Sequence, residues 1–276
     1  MRKLKLIATF VTAMTTLNLS AAHAEEVAPL FPLPFTPDFT RGSGWGVALG
    51  LGIEYETAYA GSDEYAFELD PAGAVQWRKG NHLFSWEGLE ASWTTRQKDQ
   101  WYIQVDLGFD GEREEDDSDD GRLDGLDERD DEFTGTGEVR YSLDGEWRNY
   151  VGTRVSAGDS DFGTKGFIFA GHRFGSRQDG GGTEAFLYAT FADSDNLNRE
   201  FGISPSEATT SGLAETDLDS GYRSSGLRLV DRRFFNEHIQ IVSGFEFEYY
   251  SNDVQDSPIA REDFALEVEL GMLYQF

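Results

Sequence analysis

The chain has 276 residues, with 51 acidic against 23 basic side chains, a formal net charge of -28 and no cysteine. So acidic a polymer repels phosphate, which excludes nucleic-acid binding. The missing thiols exclude disulfide staples and cysteine chemistry. Beyond residue 24 no apolar run approaches the roughly 20 residues a membrane helix needs, while aromatic residues and glycine are abundant.

Residues 1–24 have the layout of a secretory signal peptide. Arg2, Lys3 and Lys5 form a basic start, an apolar run follows from Leu6, and Ala22-His23-Ala24 offers a small-x-small cleavage site. Its removal takes the formal charge to about -31. Residues 25–44 carry Pro29, Pro32, Pro34 and Pro37. Proline lacks the N–H a sheet ladder needs, so this piece reads as an extended periplasmic lead-in, or as a docking segment of polyproline type.

From Trp45 to the end the side-chain period is two, the signature of strands. Trp45, Val47, Leu49, Leu51, Ile53 and Tyr55 share one face, with Gly46, Ala48, Gly50, Gly52 and Glu54 on the other. Tyr65, Phe67 and Leu69 alternate with Glu64, Ala66, Glu68 and Asp70, and the pattern resumes after Pro71 at Val75 and Trp77. Phe84 and Trp86 change phase to Leu89, Ala91 and Trp93, which predicts a bulge near Glu87-Gly88. Trp101 to Phe109 alternates cleanly, and further strands are expected around 133–143, 146–157, 165–174, 183–193, 220–231, 237–251 and 262–276. No helical period persists over a useful length.

The last strand is the most informative. Phe264, Leu266, Val268, Leu270, Met272, Tyr274 and Phe276 form an apolar wall, opposite Ala265, Glu267, Glu269, Gly271 and Gln275, with Leu273 the exception. A terminal strand of this kind, ending on an aromatic residue, suits an all-β antiparallel transmembrane barrel of the bacterial outer membrane, and residues 45–276 are assigned to it. The pattern resolves about eleven segments. Such barrels carry even strand numbers, so twelve is expected, with ten as the alternative. Counting back from a periplasmic C-terminus places 251–262, 195–219 and 111–132 outside and 232–237 in a periplasmic turn.

On the polar wall Glu54, Glu68, Asp106, Glu267 and Glu269 are expected to meet Arg140, Arg148 and Arg154 across the lumen. Twelve strands fall between a filled barrel and an open porin, so both a plugged lumen and a small permeation path stay open. In the acidic run 111–132, Asp116, Ser118, Asp120 and Asp127 approach the spacing of a calcium loop. The twelfth position is the shorter Asp and flanking helices are lacking, so the bland reading is a solvated acidic loop. His82, His172 and His238 form no hydrolase motif, and neither enzymatic activity nor a cofactor is expected.

Several patches together resemble the MltA-interacting protein (MipA/OmpV) family of outer-membrane proteins. They are Tyr59-Ala60-Gly61-Ser62-Asp63-Glu64-Tyr65; Leu123-Asp124-Gly125-Leu126 leading into Gly137-Glu138; Phe201-Gly202-Ile203-Ser204-Pro205 with Ser211-Gly212-Leu213; and Asp256-Ser257-Pro258-Ile259. The acidic insertion Glu114 to Asp120 departs from the family pattern. The resemblance implies a non-enzymatic barrel that acts as a scaffold between a murein-degrading lytic transglycosylase and a murein synthase. Relatives have also been linked to adhesion and small-solute passage, so a narrow channel and a surface adhesin are the alternatives. Outer-membrane lipid, lipopolysaccharide and the barrel-assembly machinery are the other expected partners.

Tyr274 and Phe276 are expected to form the signal read during barrel assembly. Deleting Phe276, or changing Tyr274→Asp, is predicted to block insertion, measured as loss of the heat-modifiable folded band from outer membranes. A normal folded band in the deletion variant would refute this role.

Overall fold

The computed structural model describes residues 43–87, 90–97, 100–110, 118, 121–129, 132–158, 162–174, 182–236 and 238–276. The leader and the proline-rich segment lie outside them. Twelve antiparallel strands close into one barrel: β1 (Gly44–Thr57), β2 (Tyr65–Lys79), β3 (His82–Glu87), β4 (Glu90–Gln97), β5 (Trp101–Asp110), β6 (Glu132–Ser142), β7 (Asn149–Ala157), β8 (Thr164–Phe174), β9 (Gly182–Ala192), β10 (Gly221–Phe234), β11 (Ile239–Tyr250) and β12 (Phe264–Gln275). Every strand pairs with its sequence neighbours. Closure comes from β12 on β1, in register from Ala48↔Gln275 to Glu56↔Glu267, and the Phe276 N–H donates to the Val47 carbonyl at 3.0 Å.

The predicted bulge near Glu87 is instead the junction of two strands. β3 and β4 are separate and antiparallel, with Glu87 opposite Glu90. Their junction is so short that the side-chain alternation merely changes phase across it, which from sequence looks like a bulge. Separating them turns eleven segments into twelve strands.

The outer wall is apolar in the middle and aromatic at both rims, as a hydrocarbon slab with two interfaces demands. Leu51, Ile53, Ile168, Leu187, Leu229 and Leu270 are exposed between the rims. Near the chain termini Trp45–Trp77, Trp101–Tyr141 and Tyr274–Phe276 pack ring against ring, with centroids 6.3, 4.9 and 5.0 Å apart. At the far rim the pairs are Tyr55–Phe67, Phe109–Phe133 and Phe191–Tyr222, at 4.6, 5.7 and 5.8 Å. Connections at the terminal rim are mostly short, while those at the far rim include the long ones. By the usual asymmetry of such barrels the far rim is external.

Three short helices interrupt the external connections: α1 (Ser194–Phe201), α2 (Pro205–Ser211) and α3 (Asn252–Gln255). Each is too short to show a helical period, so each is made by its cap. The Asp193, Ser204 and Ser251 side chains accept the N–H of Asn196, Glu207 and Val254 respectively.

On the periplasmic side the β6–β7 turn is organised by Asp144. Its carboxylate accepts the N–H groups of Glu146 and Asn149 at 2.9 Å each, the Arg148 N–H at 3.3 Å and the Ser142 hydroxyl at 3.1 Å. Slight desolvation pushes its pKa up, but these hydrogen bonds outweigh it and hold the carboxyl down at about 2. A depressed folded-state pKa adds stability above the unfolded value of about 4, and loses it as pH falls toward the folded value. Urea unfolding of Asp144→Asn in detergent is therefore predicted to be less pH-dependent between pH about 4 and 2 than that of the parent; identical profiles would refute the turn's dependence on this carboxylate.

Candidate functional site

The lumen has three levels. At the periplasmic level it is packed solid. The β6–β7 turn puts Trp147 in the left-handed region (φ 60°), a conformation costing a bulky residue about 1–3 kcal/mol, and this turns the indole back into the barrel, where it is 1 % exposed. There it clusters with Tyr102 and Tyr150. Arg140 lies over the rings of Tyr102, Tyr150 and Phe169 at 4.9, 5.7 and 5.5 Å and pairs with Glu138. On the opposite wall Ala48, Ala74, Val230, Val242 and Leu273 form an apolar cluster. Leu273, the residue that broke the alternation of the last strand, faces inward to fill this plug.

Above the plug is an ionic level. Arg228 reaches Glu246 at 2.9 Å, Glu267 at 3.4 Å and Glu269 at 3.7 Å. A bulge between Tyr222 and Ser224 turns Arg223 inward, where it pairs with Glu200 at 2.6 Å and Glu248 at 2.9 Å. Arg154 faces Asp106 at 3.9 Å. Glu54 stands in register with both Glu68 and Glu269, and oxygens of Glu54, Glu267 and Glu269 lie within 4.8 Å of one another. Two sequence expectations change here. Arg148 is not a lumen charge: it lies in the β6–β7 turn, its side chain 61 % exposed and 3.6 Å from Glu146. The cation that meets Glu267 and Glu269 is Arg228, two strands away on β10 in the register row of Glu246 and Glu267, rather than Arg140 or Arg154. A vestibule of about 510 Å³ opens above this level, lined by Glu56, Glu68, Glu246, Glu248 and Glu267.

The external level is a folded cap built from four connections. One cluster joins Tyr59, Leu123, Leu126, Ile203 and Ile259, and a second joins Leu197, Phe201, Leu218, Tyr250 and Val254. These include residues from each of the four motif patches quoted above, so patches scattered along the chain are one packing unit. Hydrogen bonds stitch them. The Ser257 hydroxyl donates to the Phe201 carbonyl at 2.6 Å and accepts the Ile259 N–H at 3.2 Å; the Arg261 N–H donates to the Gly61 carbonyl at 2.7 Å; and Arg122 donates to the Pro258 carbonyl. Gly125 (φ +77°) lies so close to α2 that a Cβ would meet the Thr210 backbone at 2.9 Å. Asp256 forms the C-terminal cap of α3.

Glu207 ties the cap together. Within α2 it completes a capping box with Ser204, accepting the Ser204 N–H at 2.8 Å, and it also accepts from the Asp127 N–H and the Arg129 guanidinium at 3.1 Å each. Desolvation pushes its pKa up; the Ser204 and Asp127 hydrogen bonds and the Arg129 charge outweigh this and hold it below the usual range. The calcium reading divides at this point. The Ser118 hydroxyl accepts the Arg122 N–H at 2.8 Å, while Asp116 and Asp120 lie outside the described residues. Tyr274 and Phe276 both point outward into the periplasmic aromatic rim, and Tyr274 also stacks on His238 at 5.5 Å.

The family model described as MltA-interacting protein MipA matches residues 49–276. No curated protein matches the chain. Among solved structures it is similar to a bacterial polysaccharide outer membrane secretin, at 12 % identity, TM-score 0.46, with 83 % of this chain and 98 % of that one covered. It is also similar to the Ralstonia pickettii toluene transporter TbuX, at 10 % identity, TM-score 0.39, with 86 % and 90 % covered. The NanC porin aligns at 10 % identity and TM-score 0.40, with 82 % and 98 % covered.

Replacing Glu207→Ala leaves the Asp127 and Ser204 N–H groups without their acceptor, at a cost of about 1–3 kcal/mol to the cap. Limited trypsin digestion of the folded barrel is predicted to cut at Arg122 and Arg129 several times faster in this variant, with the strands still protected. Unchanged cleavage would show that Glu207 does not hold the cap.

Proposed function

The chain belongs to the MltA-interacting protein MipA family, and from that premise we propose that it is a non-enzymatic outer-membrane scaffold. Its task is to hold a murein-degrading lytic transglycosylase, and with it a murein synthase, against the inner face of the outer membrane. The observation that carries this reading is the packed periplasmic level. Trp147, Arg140 and Leu273 fill the barrel where a solute would leave it, which favours binding over conduction. Supporting it, two apolar side chains stand out from the periplasmic turns: Leu143 between β6 and β7, and Phe235, 77 % exposed, between β10 and β11. A few side chains that become buried on binding supply most of the energy in protein interfaces, and these two offer apolar surface for such a contact.

The test uses the purified lytic transglycosylase and the barrel in detergent. The parent is expected to capture the enzyme, and Leu143→Ser with Phe235→Ser to weaken capture about tenfold or more while the heat-modifiable band stays normal. Equal capture by parent and variant would remove this surface from the proposal, and no capture by the parent would remove the scaffold.

A further inference from the structure

The packed periplasmic level holds polar groups that its own side chains do not satisfy. Gln240, Gln275 and Gln76 lie on the inner face of β11, β12 and β2 and are 0, 4 and 4 % exposed. Among the described residues, both amide atoms of Gln240, the Gln275 Nε2 and the Gln76 Oε1 have no hydrogen-bond partner. A buried amide left in that state is costly, and native interiors satisfy nearly all such groups. Where side chains do not, buried water does.

Strand register arranges the three amides as a stair. Gln240 shares a row with Leu273 and Gly50. One row toward the periplasm Gln275 stands with Ala48 and Ala74, and one row further Gln76 stands with Gly46. Successive rows are two residues apart, about 7 Å along the strand. β1 is the bare wall beside this stair, since its inner face there carries only Gly46, Ala48, Gly50 and Gly52. At the head of the stair Val242, Gly271 and Gly52 share a row. With Glu54 and Glu269 they line a cavity of about 20 Å³, room for the single water that needs about 10–15 Å³. The carboxylate vestibule lies above it. At the foot, Gly44 is exposed at the periplasmic rim. The narrowest point is Leu273, whose side chain lies across Gly50 so closely that an added Cβ would meet it at 2.7 Å.

We propose that the barrel conducts water in single file down this stair, from the vestibule to the periplasm, and excludes ions. Each amide replaces a neighbour that a water gives up on leaving bulk solvent. Between the amides Ala48, Ala74, Val242 and Leu273 present only hydrocarbon, which an ion cannot pass without losing its hydration. Water passage needs no docked enzyme, so it is independent of the scaffold role.

The test uses the full mature barrel in proteoliposomes, shrunk by a jump in external sucrose and followed by stopped-flow light scattering. The parent is expected to shrink several-fold faster than protein-free vesicles, while the same protein stays silent to ions in planar bilayers. Gln240→Leu with Gln76→Leu, close in volume but without amides, is expected to bring the rate back toward that of protein-free vesicles with a normal heat-modifiable band. Leu273→Ala, which leaves all three amides in place, is expected to raise it. Shrinkage of the parent at the protein-free rate would overturn the water path. Equal rates in the parent and both variants would overturn the route along the stair.

Discussion

The structure depends on one constraint: in hydrocarbon every backbone N–H and C=O must find a partner within the sheet. Pairing β12 with β1 meets it by abolishing the free edges of a sheet. Side-chain alternation then divides each strand between lipid and lumen, and the two aromatic rims set the height of the wall.

Inside, the two halves of the lumen differ in how they hold charge. The periplasmic half buries Arg78, Arg96, Glu138, Glu184 and Arg232 among aromatic and aliphatic side chains, with Arg140 embedded among rings, while the external half carries a cluster of carboxylates compensated by Arg223 and Arg228. Above them the cap behaves as a small folded unit with its own apolar clusters, rather than as loose loops. Its coherence rests on a few polar groups, Glu207 and Ser257 above all, that join connections distant in sequence.

The architecture was legible wherever period two ran uninterrupted: β1, β5 and β12 could be read residue by residue. Reading failed where the chain turned without a turn-like sequence, as at Glu87–Glu90, and where a lumen residue was apolar, as at Leu273. Partners inside the lumen were less legible. Alternation says that Glu267 faces inward but not which arginine reaches it; strand register does, and it sets Arg228 in row with Glu246 and Glu267, so that Arg228 takes the place expected of Arg140, Arg148 and Arg154. Trp147 gave no signal at all, since its inward course comes from the backbone of the turn begun by Asp144-Gly145. The motif patches were visible as patches, but only the fold shows that they are the faces of one cap.

The barrel is filled at its periplasmic end, and the proposed scaffold role depends on that filling. Conductance of the refolded parent barrel in planar bilayers tests this most directly. The packed Trp147, Arg140 and Leu273 level predicts a silent membrane at low voltage, with no steady current steps. Stable ohmic steps from correctly folded, heat-modifiable protein would contradict it.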